Sequence, residues 1–193
     1  HGEVLMIGAL TSWSCIGMMQ AAMPGAPGWI ILLLATLIAC VVAATLNFTI
    51  EKIAYRPLRN SPRLAPLITA IGMSIVLQNL AMMIWGRNYL TFPALLPKVN
   101  FELAGAHFTF IQVVIVLLSG ATMAGLLGLI YRTKLGMAMR ATAQNPAVAS
   151  LMGVNINRVI AAAFVIGSAL GALAGVMVGT YYEIAHYQMG FML

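Results

Sequence analysis

The chain has 193 residues, of which 62% are hydrophobic and 7% charged, with a formal net charge of +6 and a mean hydropathy of +0.96. Soluble domains carry roughly 25% charged residues, so this composition excludes an ordinary soluble globular protein and places the chain in a bilayer. The ten Lys and Arg residues are confined to links between apolar runs instead of forming a stripe on one face; they argue against a nucleic-acid surface and for orientation in a membrane.

The opening "HGEV" puts His1 and Glu3 at the mouth of an apolar run. One His and one Glu without H-E-x-x-H spacing are too few ligands for a metal. A polar helix start is the expectation, with Glu3 favoured by the helix dipole. Beginning without Met and ending in the apolar "GFML", the sequence reads as an internal piece of a longer chain.

Five stretches are long enough to cross a hydrocarbon core, which takes about 20 helical residues: Val4–Met23, Trp29–Ile50, Leu64–Trp85, Thr109–Tyr131 and Val159–Tyr182. None contains Asp, Glu, Lys or Arg. Runs of this length exceed a barrel strand, and backbone groups in lipid must be satisfied internally, so each is predicted to be a helix. The expected fold is an all-α integral membrane protein, a polytopic helix bundle with five spans in one continuous domain, 1–193. Cys15 and Cys40 lie in separate apolar runs without C-x-x-C spacing and read as small buried hydrophobes.

The first link, "PGAPG" at Pro24–Gly28, is a tight uncharged turn that predicts an antiparallel helix hairpin. The second link carries Lys52, Arg56, Arg59 and Arg63, and the fourth carries Arg132, Lys134, Arg140 and Arg158, against only Arg87 and Lys98 in the third. By the positive-inside rule the second and fourth links are cytoplasmic, and the first turn, the Gly86–Phe108 segment and the Glu183–Leu193 end are outside. Trp29, Trp85, Tyr131, Tyr181 and Tyr182 fall at span ends, where an interfacial aromatic belt places them.

Within the spans, polar residues mark candidate pathways. Gln20, Asn47, Gln78 and Asn79 all sit nearer ends than centres, where interfacial solvation or interhelical hydrogen bonds suffice; Gln78 and Asn79 are the candidate pathway pair. The chain has no Asp, and its four Glu residues, Glu3, Glu51, Glu102 and Glu183, are expected to flank the spans. A proton- or sodium-driven carrier normally needs an ionisable group inside the membrane, so that class is weakened. A nucleotide-holding G-x-x-x-x-G-K-[ST] loop, a G-x-S-x-G elbow and an intramembrane Asp pair are all missing, so neither an enzyme nor a bound cofactor is expected.

Two further patterns stand out. In the fifth span, Gly167, Gly171, Gly175 and Gly179 recur every four residues and lie along one helix face, the small-xxx-small signature of close helix packing; Gly120, Ala124 and Gly128 repeat it more weakly in the fourth. In the fourth link, 132–158, basic residues and a glycine break at Gly136 lead to "QNP". Asn145 suits an N-cap and Pro146 the first helical position. Ala147–Met152 is predicted as a short helix, followed by Gly153 at the C-terminal glycine position. Ala147, Ala149, Leu151 and Met152 offer a shallow docking surface for a partner.

The stretch "LGMAMRATAQNPAVASLMGVNINRVIAAAFVIGSALGALAG", with "IEKIAYRPLRNSPRLAPLITAIGMSIVLQN" and "HGEVLMIGAL", resembles the LivH-type permease subunits of bacterial branched-chain amino-acid ABC importers. The resemblance runs across essentially the whole chain. It implies a multi-pass protein of the bacterial inner membrane, paired with a second permease subunit, two cytoplasmic ATP-binding subunits and a periplasmic amino-acid-binding protein. ATP would be bound by the partner, and Asn145–Gly153 would be the coupling helix seated in an ATPase cleft. The family's first hydrophobic segment and its glycine-rich later helices have no counterpart in this chain. Permeases for urea or short-chain amides share the loop pattern and are the alternative; a self-contained channel or secondary carrier should show intramembrane charge or a polar pore stripe, and an intramembrane enzyme would need catalytic groups.

Overall fold

The computed structural model describes residues 2–22, 25, 27–60, 62, 64–93, 100–103 and 106–189. Helices α1 (Gly2–Ala22) and α2 (Gly28–Ile50) are followed by a π-helical turn (Glu51–Tyr55), a 3-10 turn (Pro57–Asn60) and α3 (Leu64–Trp85). Strands β1 (Leu90–Thr91), β2 (Asn100–Leu103) and β3 (Ala106–Thr109) lead to α4 (Phe110–Arg132), α5 (Lys134–Gln144), α6 (Pro146–Leu151), α7 (Ile156–Tyr182) and β4 (Ile184–Ala185). Five helical segments are long and apolar enough to cross a membrane: Gly2–Ala22, Gly28–Tyr55, Leu64–Trp85, Phe110–Arg132 and Ile156–Tyr182. Hydroxyls within them bond back to carbonyls three or four residues earlier, as at Thr36 (2.7 Å to Leu32 O), Thr69 (2.9 Å to Ala65 O) and Ser119 (3.0 Å to Val116 O). In lipid this self-satisfaction is what lets a hydroxyl sit in a span.

The chain divides into two compact units, His1–Pro97 with Val165–Leu193, and Lys98–Phe164. In the first, α1 and α2 form a hairpin. Val4, near the start of α1, clusters with Cys40 and Ala43, toward the far end of α2, as antiparallel neighbours must. Of the "PGAPG" turn itself, Pro24 and Ala26 lie outside the described residues. On α2 the contact stripe is Ala35, Ala39 and Ala43, each fully buried and four apart, a small-residue row that lets the helices approach. Met6, Leu10 and Ile16 of α1 fill the core, joined by Leu77 and Ala81 of α3. Trp85 Nε1 donates to Ser14 Oγ (2.6 Å) and the Cys40 thiol to Ala169 O (3.3 Å). Leu33, Leu37, Val41, Ile68, Ile71 and Ile75 point outward, the surface expected of helices solvated by acyl chains.

At one end of this unit β1 pairs antiparallel with β4, with Leu90 opposite Ala185 and Thr91 opposite Ile184. Phe92 N–H extends the pairing to Glu183 O (2.8 Å), and Trp13 Nε1 donates to Thr91 O (2.9 Å). The segments after α3 and after α7 therefore lie on one side, as the charge count requires. His186 packs its ring against Tyr89, with centroids 4.9 Å apart. Its Nε2 is shut off from solvent with no hydrogen-bond partner among the described residues. Burial pushes the His186 pKa below its ordinary value, because desolvation disfavours the charged ring. The folded corner thus takes up a proton less readily than the unfolded chain, and its stability is present above the ordinary histidine range, near pH 6.5, and lost as pH falls below it. The thermal midpoint of the purified protein should fall between about pH 7.5 and about pH 5.5, and His186→Phe, which cannot be protonated, should flatten part of that fall. Superimposable profiles for the two proteins would show that His186 contributes nothing.

In the second unit, β2 and β3 pair as a hairpin, Asn100 opposite Thr109. Thr109 N–H donates to Gln112 Oε1 (3.2 Å) at the start of α4. No residue of α4 is buried.

Candidate functional site

The fourth link is built from three helical pieces, each started by its own cap. Thr133 Oγ1 accepts from Gly136 N–H (3.0 Å) and opens α5, an eleven-residue helix. The sequence predicted a break at Gly136; instead Gly136 is inside the first turn of α5. A Cβ there would collide with the backbone oxygens of Ile130 and Leu129. The glycine is a close-approach position at which α5 turns back onto the end of α4. The orphan carbonyls of α4 are met by α5: Arg140 Nη1 donates to Ile130 O (2.9 Å), with its guanidinium 5.1 Å from the Tyr131 ring centroid, and Thr133 Oγ1 donates to Leu129 O (2.5 Å). The Thr133 cap and the stretch "AMRATAQ" were the available signals for α5, masked in the sequence by reading Gly136 as a terminator.

Asn145 closes α5 and opens α6. Its backbone is extended, and Oδ1 accepts from Ala147 N–H (3.0 Å) and Val148 N–H (3.2 Å), with Pro146 in the first position. Helix α6 ends at Leu151, with Met152 as C-cap. Gly153 is left-handed at φ +83; its N–H donates to Ser150 O (3.0 Å), and Val154 N–H donates to Ala149 O (3.1 Å). Asn155 Oδ1 then accepts from Arg158 N–H (3.2 Å) to start α7. A six-residue helix is unstable alone; here it is capped at both ends. Of the residues predicted to dock, Leu151 and Met152 are 85% and 80% exposed, and Ala147 is exposed. Ala149 is instead buried against its own chain, 4% exposed, and Val148 takes the outward position. The period of one turn explains the swap: Ala149 lies on the face that α6 turns inward.

In the first unit two members of the α7 glycine row, Gly171 and Gly175, meet α1. A Cβ on Gly175 would collide with Leu5 O, and one on Gly8 of α1 with Ala172 Cα. Gly171 lies beside Val4, its Cβ position 3.6 Å from Val4 Cγ1, and Gly179 beside the Phe92 ring, 3.1 Å from Cε2. Backbones that touch this closely exclude side chains at the contact. The weaker row of α4 differs: Cβ atoms on Gly120 or Gly128 would meet nothing within 4 Å.

The polar candidates divide. Asn79 Nδ2 donates to its own helix at Ile75 O (2.8 Å) and is exposed. Gln20 is exposed and Asn47 buried. Gln78 Nε2 donates to Glu3 Oε1 (2.7 Å), as does Ser74 Oγ (2.7 Å). Glu3 lies in the first turn of α1, at the end of its own span, but it is 8% exposed and faces the middle of α3. Its partners are 71 and 75 residues away, a pairing without any local signature. His1 lies outside the described residues.

The model of the family described as branched-chain amino acid transport system, permease component, matches residues 1–193. The chain belongs to this family. Among permease relatives, it is 39% identical over 196 residues to the high-affinity branched-chain amino acid transport system permease protein LivH of Escherichia coli K12, covering all of this chain and 63% of that protein. It is 39% identical over 198 residues to BraD of Pseudomonas aeruginosa, named as the same kind of permease, covering all of this chain and 64% of BraD. A probable LivH of the archaeon Methanocaldococcus jannaschii is 33% identical over 84 residues, 44% of this chain and 25% of that protein. The chain thus spans a little under two thirds of the length of these LivH and BraD relatives. No solved structure matches it.

Proposed function

We propose that the chain is the membrane-spanning part of a permease subunit in an ATP-driven importer of leucine, isoleucine and valine, resident in the bacterial inner membrane. The observation that carries this reading is the family match over residues 1–193, supported by relatives named as high-affinity branched-chain amino acid permeases. A second permease subunit, two cytoplasmic ATP-binding subunits and a periplasmic amino-acid-binding protein complete the machine. The chain has no phosphate-cradling motif of its own, so ATP acts on the partner and no cofactor or catalysis is assigned here. The stroke of the ATPases has to enter through a cytoplasmic element. Asn145–Gly153 suits this: it is capped at both ends, and Val148, Leu151 and Met152 face outward as apolar contacts for an ATPase cleft. The glycine face of α7 then holds α7 and α1 together as one body.

Uptake of labelled leucine and labelled urea by the full-length complex, reconstituted with its binding protein, tests the reading. Leucine accumulation that needs ATP, with urea excluded, is the expected result. Urea uptake without leucine uptake would transfer the chain to the amide branch, and flux without ATP would make it a channel or carrier.

A further inference from the structure

Glu3 is an acid in an apolar interior that is only half satisfied. Its Oε1 accepts from Ser74 Oγ and Gln78 Nε2, both at 2.7 Å. Its Oε2 is closed off from solvent and has no hydrogen-bond partner among the described residues. Ser74 and Gln78 are one helical turn apart and half-buried, whereas Glu3 is buried, so the cluster is closed at the carboxyl and open along α3. Ser74 is ten residues from the start of α3 at Leu64, or about 15 Å at 1.5 Å per residue, close to the middle of a hydrocarbon core of about 30 Å. An ionisable group at that depth is rare and normally paired. Its position in the first turn of α1 suits negative charge.

We propose that Glu3, Ser74 and Gln78 form an intramembrane site for a primary ammonium group, namely the α-ammonium of the amino acid being transported; this rests on the amino-acid permease reading above. An ammonium presents three N–H donors. Glu3 Oε2, the side-chain oxygen of Gln78 and a lone pair of Ser74 Oγ are three acceptors in the cluster. A proton alone would turn Oε2 into a donor facing no acceptor. A bare metal ion would demand more oxygen ligands than the cluster holds. The ammonium is the one of these that supplies both the charge and the hydrogen bonds that Oε2 lacks.

Glu3→Gln separates this role from a structural one, because the amide keeps an oxygen for Ser74 and Gln78 while the charge is lost and the acceptor Oε2 is replaced by an NH2 donor. In the full-length complex reconstituted with its ATPases and binding protein, Glu3→Gln should lower leucine uptake tenfold or more. Membrane insertion and the ATP hydrolysis stimulated by the leucine-loaded binding protein should be retained, and Glu3→Asp should restore part of the uptake. Uptake by Glu3→Gln within twofold of wild type overturns the site. A second measurement needs no variant: leucine delivered by the binding protein should slow labelling of Glu3 by dicyclohexylcarbodiimide severalfold in the wild-type complex, read by peptide mass spectrometry. Equal labelling with and without leucine overturns the site even if Glu3→Gln fails to insert. A wild-type complex that moves no leucine removes the amino-acid reading and this site with it; one that moves leucine equally well with Gln at position 3 removes the site alone.

Discussion

Gly153→Val is expected, on the importer reading proposed above, to abolish ATP-driven uptake while leaving the protein inserted in the membrane at wild-type levels. The cause is backbone conformation, not crowding: a Cβ at Gly153 would meet nothing within 4 Å, but φ is +83. A β-branched residue in the left-handed region costs at least about 1–2 kcal/mol. That is large against a helix of six residues. The strain is relieved by moving the chain out of this turn, which breaks the bonds from Gly153 N–H to Ser150 O and from Val154 N–H to Ala149 O. Leu151 and Met152 then lose their position. Asn145→Ala combined with Pro146→Ala attacks the other end, removing the acceptor for Ala147 and Val148 N–H at a cost of roughly 0.5–2 kcal/mol and freeing the first helical φ. Gly153→Asn is the control, since Asn tolerates the left-handed region, and should keep most of the activity. Uptake and membrane content measured side by side decide the matter. Normal transport by both damaged variants would remove the coupling assignment from Asn145–Gly153.

Gly175→Ala should destabilise the protein by about 1–3 kcal/mol or more, the range for overpacking a filled interior, whereas Gly171→Ala should be neutral or slightly stabilising. The two substitutions add the same methyl group to the same helix face. At Gly175 the methyl would run into the Leu5 carbonyl, which belongs to the backbone of α1 and moves only if the whole helix moves. At Gly171 it would sit 3.6 Å from Val4 Cγ1, an ordinary contact, and replacing a mid-helix Gly by Ala gains roughly 0.5–1 kcal/mol. Gly8→Ala should resemble Gly175→Ala, because its methyl would meet Ala172 Cα. Gly179→Ala should fall between, since the Phe92 ring has to give by a few tenths of an ångström. Thermal unfolding of the purified protein in detergent ranks them. Equal midpoints for the Gly171 and Gly175 variants would show that α1 and α7 do not touch through their backbones.

Both predictions start from glycines visible in the sequence, yet only one of the two patterns could be resolved there. Asn145, Pro146 and Gly153 act within a few residues of one another, through caps and a left-handed turn, so the chain text carries the whole device. The α7 row announces a contact without naming its partner or ranking its members. The same spacing in α4, at Gly120 and Gly128, faces open space within this chain. The alanine row of α2, which packs fully buried at Ala35, Ala39 and Ala43, is equally regular but gives no signal in the sequence, because alanine is common throughout an apolar span. Gly136 misled for a related reason: a glycine that permits backbone approach reads locally like one that ends a helix.

By itself the sequence determined that this chain has five membrane-spanning helices and a capped helix in a basic link. Lipid leaves an uncharged run of some 20 residues no other way to satisfy its backbone, and caps are short-range chemistry. The tertiary structure alone decided which glycines are backbone contacts, which face of α6 is presented, and that Glu3 lies deep against Ser74 and Gln78. Those facts depend on groups tens of residues apart meeting in space, where neither helical period nor local hydrogen bonding specifies a partner.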